Sequence, residues 1–311
     1  MIIKRLIAAV CAVLVFMFAA TLPAAAQGIS KLRVQSAFPS SSLIYESSKY
    51  WAERVKAMTG GKLVIDLLPA GSVVPPFEVL DAVHKGVIDG AHSSAAYWVG
   101  KNRASTLFGP APGGPFGMDM LDYYGWLYEG GGLQLYRDFY QKELKRKVFV
   151  VPMGSAANQV LGWFKKPVKN WEDLKGRKCR ETGIGAEVFS KSGMSTVNVP
   201  GGEIIPSGER GVIECAEFVG PAEDMKIGFQ AIWKYLYMPS IHENATVLEL
   251  LFNTDVWNKL SPEQREIIQS AAWEATMRSQ IVSNKLNADA LVELRTKHGV
   301  NIERTPSDIM P

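Results

Sequence analysis

The chain has 311 residues, a formal net charge of +3, 21% charged residues and 3 cysteines. This near-neutral balance, without blocks of basic residues, argues against nucleic acid or a membrane surface as the main partner. The length suits one large or two medium α/β domains with a sizeable core.

The first 26 residues have the order of features expected of a secretory signal peptide. Lys4 and Arg5 precede an apolar run over residues 6–22, and Ala24–Ala26 supply small residues for cleavage. The run is near the short end of a membrane-spanning helix, so an uncleaved anchor is the competing interpretation. The small-residue triplet favours cleavage, and we expect an exported chain that starts at Gln27.

Strand and helix patterns then alternate along the chain. Residues 32–35 and 63–67 are predicted strands, and the helix between them begins after Ser40–Ser42 and ends at Gly60-Gly61. A further helix leads into a short strand over 88–92. This order of elements predicts a mostly parallel sheet with helices on its faces.

Aromatic residues follow a Gly- and Pro-rich loop over 108–117, and their helical spacing between Tyr123 and Tyr140 predicts core packing. A second α/β series then begins. It includes a short helix after Asn170, a strand around Cys179 and an alternating pattern over 211–219. The repeated order predicts two domains of similar build.

Ser261-Pro262-Glu263-Gln264 has the pattern of a helix start, with an N-cap serine, proline at the first helical position and glutamine at the third. No breaker follows until Gly299, and a helix of that length can bridge two domains. The predicted divisions are a signal peptide at 1–26, domain I at 28–150 plus about 240–258, domain II at 151–239, the bridging helix at 261–298 and a tail at 299–311.

The two cysteines after the signal peptide are Cys179 and Cys215, in a compartment that permits disulfides. Alternation along a strand turns Cys179 away from the side used by Arg180, whereas Cys215 shares a face with Glu217. If Arg180 and Glu217 face a common site, the thiols point in different directions. We therefore expect two free, partly buried thiols, and the lack of a Cys-x-x-Cys pattern argues against a metal site.

Eight segments together carry a resemblance to one known family: "MTGGKLVIDLLPAG" (58–71), "LDAVHKGVIDGAHSSAAYW" (80–98), "PFGM" (115–118), "NQVLGWFKK" (158–166), "LKGRKCR" (174–180), "PGGEI" (200–204), "ERGVIECAEFVGP" (209–221) and "MPSIHE" (238–243). The chain resembles the DctP-type solute-binding proteins of tripartite ATP-independent periplasmic (TRAP) transporters. Within them it is most similar to the branch that binds 2-oxo acids such as pyruvate.

The resemblance implies a periplasmic receptor of the α/β class. Two hinge-linked domains, each a parallel or mixed sheet flanked by helices, would close over a small monocarboxylate, either a 2-oxo or a 2-hydroxy acid. A long C-terminal helix would bridge the domains. The receptor would deliver its ligand to a sodium-driven permease built of a small and a large membrane subunit.

The resemblance also implies roles for particular residues. Arg180 takes the position that pairs with the ligand carboxylate. Gln159, Glu217 and the backbone carbonyl of Phe218 take the positions that hold a cation, Na⁺ or alternatively Ca²⁺. Relatives usually carry tryptophan at the position of Phe218, and a backbone contact survives that change. Oxygen ligands of this kind are the set that hard cations prefer.

Four more residues are predicted to contact the ligand. Asn158 adjoins Gln159 in sequence, and Tyr97 and Trp98 follow a predicted strand, where α/β sheets place ligands. Core packing is the alternative for the two aromatic residues. Glu243 is either another wall of the site or a simple loop residue.

Two functions of other classes stay open, a periplasmic enzyme and a sensing protein that reports to a receptor kinase. The four histidines form no metal-binding spacing, no Gly-x-Ser-x-Gly elbow is present, and only Glu217 with Glu243 resembles a glycosidase pair. Similar proteins continue beyond the equivalent of Pro311, into a segment that in some relatives swaps between subunits. A homodimer is therefore not carried over from the resemblance.

Overall fold

The computed structural model describes residues 30–110, 117–156 and 159–310. The predicted signal peptide and the predicted ligand residue Asn158 lie outside these residues. The strands of the described part are, in chain order, β1 (Ser30–Ser36), β2 (Leu63–Leu68), β3 (Gly90–Ser93), β4 (Val148–Ala156), β5 (Gly162–Phe164), β6 (Lys178–Arg180), β7 (Ser195–Val197), β8 (Cys215–Ala216), β9 (Tyr235–Met238), β10 (Thr246–Asn253) and β11 (Asn301–Arg304).

Helices alternate with these strands. The α-helices are α1 (Leu43–Met58), α2 (Val79–His84), α3 (Met120–Tyr128), α4 (Gly132–Asp138), α5 (Gly183–Lys191), α6 (Ile204–Glu209), α7 (Pro221–Ile227), α8 (Phe229–Ile232), α9 (Thr254–Lys259) and α10 (Pro262–Thr296). Shorter 3-10 turns cover Pro76–Glu78, Ala95–Trp98, Arg103–Leu107, Trp171–Leu174 and Gly201–Glu203, and a π-helical turn covers Phe139–Glu143. Among the described residues, no helix combines the length and apolar character that a membrane span requires.

Two mixed sheets organise the chain. The first has the strand order β2-β1-β3-β10-β4, and the second has the order β11-β9-β5-β8-β6-β7. In the first sheet β1 pairs parallel with β2 and β3, whereas β10 runs antiparallel to both β3 and β4. The predicted fold class, two sheets flanked by helices with a long C-terminal helix, is confirmed. In the first sheet the predicted mostly parallel pattern holds only for β2-β1-β3.

Two predicted divisions of the chain require correction. The boundary predicted at residue 150 falls inside β4, which pairs with β10 in the first sheet, so the chain crosses to the second sheet after Ala156. The predicted tail contains β11, which pairs parallel with β9. We accordingly propose a first lobe of residues 30–156 and 246–259 and a second lobe of residues 159–238 and 301–304.

The long helix α10 contacts both lobes. It begins at the N-cap Ser261 with the predicted capping box. The hydroxyl Oγ1 of Thr276 accepts a hydrogen bond from the backbone N–H of Gly154 in β4, at 2.8 Å. Further along the helix, Asn287 Oδ1 accepts one from the backbone N–H of Ala222 in α7, at 3.0 Å. These two contacts tie α10 to the first and second lobes respectively.

The aromatic cluster of the first lobe surrounds a buried carboxyl group. Glu249 of β10 is fully buried and accepts hydrogen bonds from Tyr140 Oη at 2.7 Å, from Tyr136 Oη, and from Trp98 Nε1 at 2.9 Å. Burial raises the pKa of Glu249 to about 7. The prediction that the aromatic run is core packing holds for Tyr136 and Tyr140, and Trp98 belongs to the same core.

Cys179 and Cys215 form a disulfide, so the prediction of two free thiols is wrong. The strands β6 and β8 pair in parallel with Cys179 opposite Cys215, and the two Cα atoms lie 4.5 Å apart. Side chains of paired residues on neighbouring strands point to the same face. The strand β8 ends at Ala216, so the alternation predicted over 211–219 does not extend to Glu217. The direction of the Glu217 side chain therefore does not determine where the side chain of Cys215 points.

Removing this cross-link is expected to destabilise the protein. The bond closes a sequence separation of 36 residues, and releasing a loop of that size is expected to lower the free energy of unfolding by about 2–4 kcal/mol. Urea denaturation with and without dithiothreitol measures the effect. The wild type should lose stability on reduction, whereas a Cys179→Ala/Cys215→Ala variant should be indifferent to the reductant. A wild-type midpoint unchanged by reduction contradicts the assignment.

Candidate ligand and cation site

Arg180 ends strand β6 and is buried, with 2% of its surface exposed. Its Nη1 donates to the backbone carbonyl of Glu217 at 2.7 Å and to Oε1 of the same residue's carboxylate. Its Nε donates to the carbonyl of Val199 at 3.3 Å. The strand pairing sets up this contact, because Arg180 lies opposite Ala216, and the next backbone N–H, of Glu217, donates to the Arg180 carbonyl.

The ring of Phe218 supports the guanidinium group. The Arg180 Cζ atom lies 5.4 Å from the centroid of that ring, within the range of a cation–π contact. Phe218 is itself buried, so the ring fixes one side of the charged group while the Glu217 carboxylate holds its edge. The side chain of Phe218 therefore packs against Arg180.

Gln159 and Glu243 form the opposite part of the site. Gln159 Nε2 donates to Glu243 Oε2, and the Gln159 backbone N–H donates to the Glu243 carbonyl at 3.4 Å. Thr246 Oγ1 donates to the same carboxylate oxygen at 3.1 Å. Glu243 adopts a positive φ of 48°, which is uncommon for residues other than glycine. These contacts place the Glu243 carboxyl group in the wall of the site.

Two oxygen atoms of the predicted cation ligands lack hydrogen-bond partners. Gln159 Oε1 and Glu217 Oε2 are both buried, and neither is hydrogen-bonded within the described part of the chain. Buried polar atoms are seldom left in this state. Oxygen atoms of amide and carboxylate groups are ligands for Na⁺ and Ca²⁺. The residues present therefore fit a hard cation.

A small cavity of about 30 Å³ lies between the lobes at this point. Side chains of both lobes line it, among them Tyr97, Gln159, Arg180, Thr182, Phe218 and Glu243. A neighbouring cavity of about 70 Å³ shares three lining residues with it, Ile44, Val219 and Leu248. The site therefore adjoins further enclosed space along an apolar wall.

The electrostatics of the site are dominated by buried carboxyl groups. Burial raises the pKa of Glu243 to about 8, and the nearby Glu217 adds to the shift. Burial also raises the pKa values of Glu217 and Glu181, and Arg180 opposes both shifts. The pKa of His242 is lowered to about 4 by burial and by Arg180, so its imidazole is neutral. A single guanidinium thus faces several carboxyl groups that resist ionisation.

The structure brings together most of the predicted site residues: Tyr97, Gln159, Arg180, Glu217, Phe218 and Glu243. Trp98 is not among them, because its indole N–H is turned to Glu249 in the first-lobe core. Sequence reasoning missed Glu181 and His242, which lie beside Arg180 and Glu243 in the chain. Both residues are buried beside predicted site residues, and the sequence alone does not reveal that burial.

The chain belongs to the DctP family, bacterial extracellular solute-binding proteins of family 7, whose model matches residues 34–311. The predicted family is therefore confirmed. The chain is 37% identical over 262 residues to a monocarboxylate 2-oxoacid-binding periplasmic protein from Nostoc sp. strain PCC 7120, covering 84% of this chain and 70% of that protein.

Solved structures of TRAP solute-binding proteins share the fold. One from Bordetella bronchiseptica RB50, with calcium and picolinate bound, has a TM-score of 0.84 and 31% identity over 91% of this chain and 82% of that chain. One from Pseudoalteromonas atlantica T6c, with sodium and pyruvate bound, has a TM-score of 0.83 and 30% identity over 90% and 84%. One from Colwellia psychrerythraea, with calcium and pyruvate bound, has the same four values.

Gly201 provides a test of the packing under the guanidinium group. A Cβ atom added there would lie 2.7 Å from Cζ of Phe218, so Gly201→Ala must displace the ring beneath Arg180. We expect a loss of about 1–3 kcal/mol in the free energy of unfolding. The matched control is Gly202→Ala, whose Cβ would lie 4.0 Å from its nearest neighbour, Pro39 Cβ. Equal urea midpoints for the two variants would contradict this packing.

Proposed function

We propose that this protein is the periplasmic receptor of a TRAP transporter and binds a small 2-oxo or 2-hydroxy monocarboxylate together with a cation, Na⁺ or Ca²⁺. The observation that carries the proposal is the buried Arg180–Glu217 pair beside the unpartnered oxygen atoms of Gln159 and Glu217. Similarity to a 2-oxoacid-binding protein and to pyruvate-bound structures supports it.

Arg180 would bind the carboxylate of the ligand. Its Nη1 is engaged by Glu217, whereas its Nη2 makes no hydrogen bond to any residue that the structure describes. A guanidinium presents its donors in a planar fork, so Nη2 and the neighbouring N–H groups suit a carboxylate in a way that lysine cannot copy. Because Glu217 and Phe218 fix the group from two sides, little rotamer entropy would be lost on binding.

Gln159 Oε1, Glu217 Oε2 and the Phe218 carbonyl would hold the cation. When bound, the ion supplies positive charge that neutralises Glu217 and attracts the oxygen atoms of the ligand. Without such compensation, an anionic ligand next to a buried carboxylate would be repelled. Glu243 would act through its hydrogen bond to Gln159 Nε2, which keeps the amide oxygen turned away from that carboxyl group.

The non-polar part of the ligand would meet an apolar wall. Ile44, Val219 and Leu248 line both cavities of the site, and Tyr97 adds an aromatic face to the smaller one. An alkyl tail would lie against these side chains. The ligand would be bound and released without chemical change, since the protein would act as a receptor and not as an enzyme.

Contacts between the lobes would favour the closed form. Glu223 of α7 accepts a hydrogen bond from the backbone N–H of Leu43, at the start of α1, at 2.7 Å. Arg103 of the first lobe pairs with Glu187 of α5, with an Nε–Oε1 distance of 3.0 Å. Ligand bound by both lobes would add to these contacts and shift the population towards closure. The small and large membrane subunits of the transporter would recognise that closed shape.

Calorimetric titration tests the proposal. The protein, stripped of metal in a potassium buffer, is titrated with pyruvate, 2-oxobutyrate, lactate and succinate, with and without Na⁺ or Ca²⁺. We expect a monocarboxylate to bind, and to bind at least about tenfold more tightly when the cation is present, a coupling typical of linked sites. If the affinity for the monocarboxylate is the same with and without Na⁺ or Ca²⁺, the proposed cation site is wrong. If only succinate binds, the ligand is a dicarboxylate and the proposed ligand class is wrong.

Arg180→Lys tests the carboxylate contact. Removing one side of a buried charge-assisted pair is expected to weaken pyruvate binding by about 100-fold or more. Arg177→Lys is the matched control, because the guanidinium of Arg177, which is exposed, donates to the backbone carbonyls of Lys166 and Pro167, outside the proposed site. Wild-type affinity in Arg180→Lys refutes the assignment.

A further inference from the structure

A group of three metal-ligating side chains adjoins the Gln159–Glu217 set. Glu181, Glu217 and His242 each bring one donor atom to within 4.8 Å of the other two. His242 Nε2 lies 3.8 Å from Glu181 Oε2. Donor atoms at a tetrahedral zinc ion lie about 3.3 Å apart, since the metal–ligand distances are about 2.0 Å. Side-chain shifts well within the range of rotamer adjustment would therefore bring these atoms to one ion.

Each residue of this group has one buried side-chain atom that lacks a hydrogen-bond partner within the residues described. Glu181 Oε2, Glu217 Oε2 and His242 Nε2 are all buried and all lack a hydrogen bond there. The three residues are only 3%, 1% and 5% exposed. One buried atom without a partner is unusual, and three on neighbouring side chains indicate a missing cation. A cation is the species that all three lone pairs can share.

The His242 ring is held in a ligating orientation. Its Nδ1 is hydrogen-bonded to Ser240 Oγ, and the same oxygen accepts the backbone N–H of His242 at 3.0 Å. The ring also packs edge-on against Phe189, with centroids 5.4 Å apart. Metal-binding histidines are oriented in this way, with the second ring nitrogen tied to a neighbour. The free Nε2 is thereby directed to the carboxylate of Glu181.

We propose that Glu181, Glu217 and His242 form a second metal site, which takes a divalent transition-metal ion of the Zn²⁺ class. One imidazole nitrogen with two carboxylate oxygens suits such an ion, whereas the all-oxygen set around Gln159 suits Na⁺ or Ca²⁺. The composition of the site also suits a cation, because three buried carboxyl groups, those of Glu181, Glu217 and Glu243, face the single guanidinium of Arg180.

The two metal sites share Glu217. Its Oε1 is bound to Arg180, so Oε2 is the carboxylate oxygen left for an ion. Occupation of the transition-metal site therefore competes with the hard cation, and this consequence rests on the function proposed above. Zn²⁺ would thus lower the affinity for the monocarboxylate.

Metal titration of the apo protein tests the site. Zn²⁺ binding is measured by calorimetry, and Co²⁺ binding by the visible absorption of its d–d bands. We expect one Zn²⁺ per chain, and His242→Gln and Glu181→Gln should each weaken it by at least about tenfold, the lower limit of what outer-shell changes cost. Both variants are also followed by thermal unfolding without metal, so that a folding defect in one leaves the other as the test.

Matched controls separate this site from the hard-cation site. His298→Gln changes a partly exposed histidine that faces Glu293 and should leave Zn²⁺ affinity unchanged. Gln159→Leu should weaken Ca²⁺ and leave Zn²⁺ binding intact, whereas His242→Gln should do the reverse. Absence of Zn²⁺ binding in the wild type, or wild-type Zn²⁺ affinity in both His242→Gln and Glu181→Gln, overturns the proposal. If the wild type binds Zn²⁺ but not Ca²⁺, the result contradicts the hard-cation site of the proposed function and leaves the Zn²⁺ site supported.

Discussion

The buried ion pair between Arg180 and Glu217 is the interaction on which the site depends. Both side chains are almost fully enclosed, and removing one partner from such a pair typically costs about 3–5 kcal/mol, because the other charge is left uncompensated. The pairing of β6 with β8 sets it up. Cys179 lies opposite Cys215 and Arg180 opposite Ala216, so the disulfide precedes Arg180 by one residue in β6, and Glu217 directly follows the end of β8. The cross-link thus holds the strand register that aims the guanidinium.

This pair also bears on the acidic character of the proposed anion site. Arg180 supplies one positive charge, and it is already paired with Glu217, so a carboxylate ligand would also lie near the buried carboxyl groups of Glu181 and Glu243. Burial raises the pKa values of these groups, because removal from water disfavours their charged forms. In the proposed function a metal ion would supply the missing positive charge, and cation and ligand would then stabilise each other's binding.

Local signals and the family resemblance predicted much of this arrangement. The four residues Ser261–Gln264 form a capping box, and they were enough to predict the start of α10. The segments around Gln159, Arg180 and Glu217 were enough to predict that these three residues lie close together. The failures share a cause, which is contact between residues distant in sequence. Alternation along an isolated strand could not show that β8 ends before Glu217. Trp98 meets its partner Glu249 more than a hundred residues away, and an apolar run such as β4 does not reveal which sheet it joins.

Whether Glu217 couples the cation to the ligand is tested most directly by the pyruvate affinity of Glu217→Gln across a series of Na⁺ concentrations. Glutamine keeps an acceptor oxygen for Arg180 but loses the charge that attracts the ion. The wild type should bind pyruvate more tightly as Na⁺ rises, and the variant should show an affinity that does not depend on Na⁺. A variant that retains the wild-type dependence on Na⁺ would contradict a cation held by Glu217.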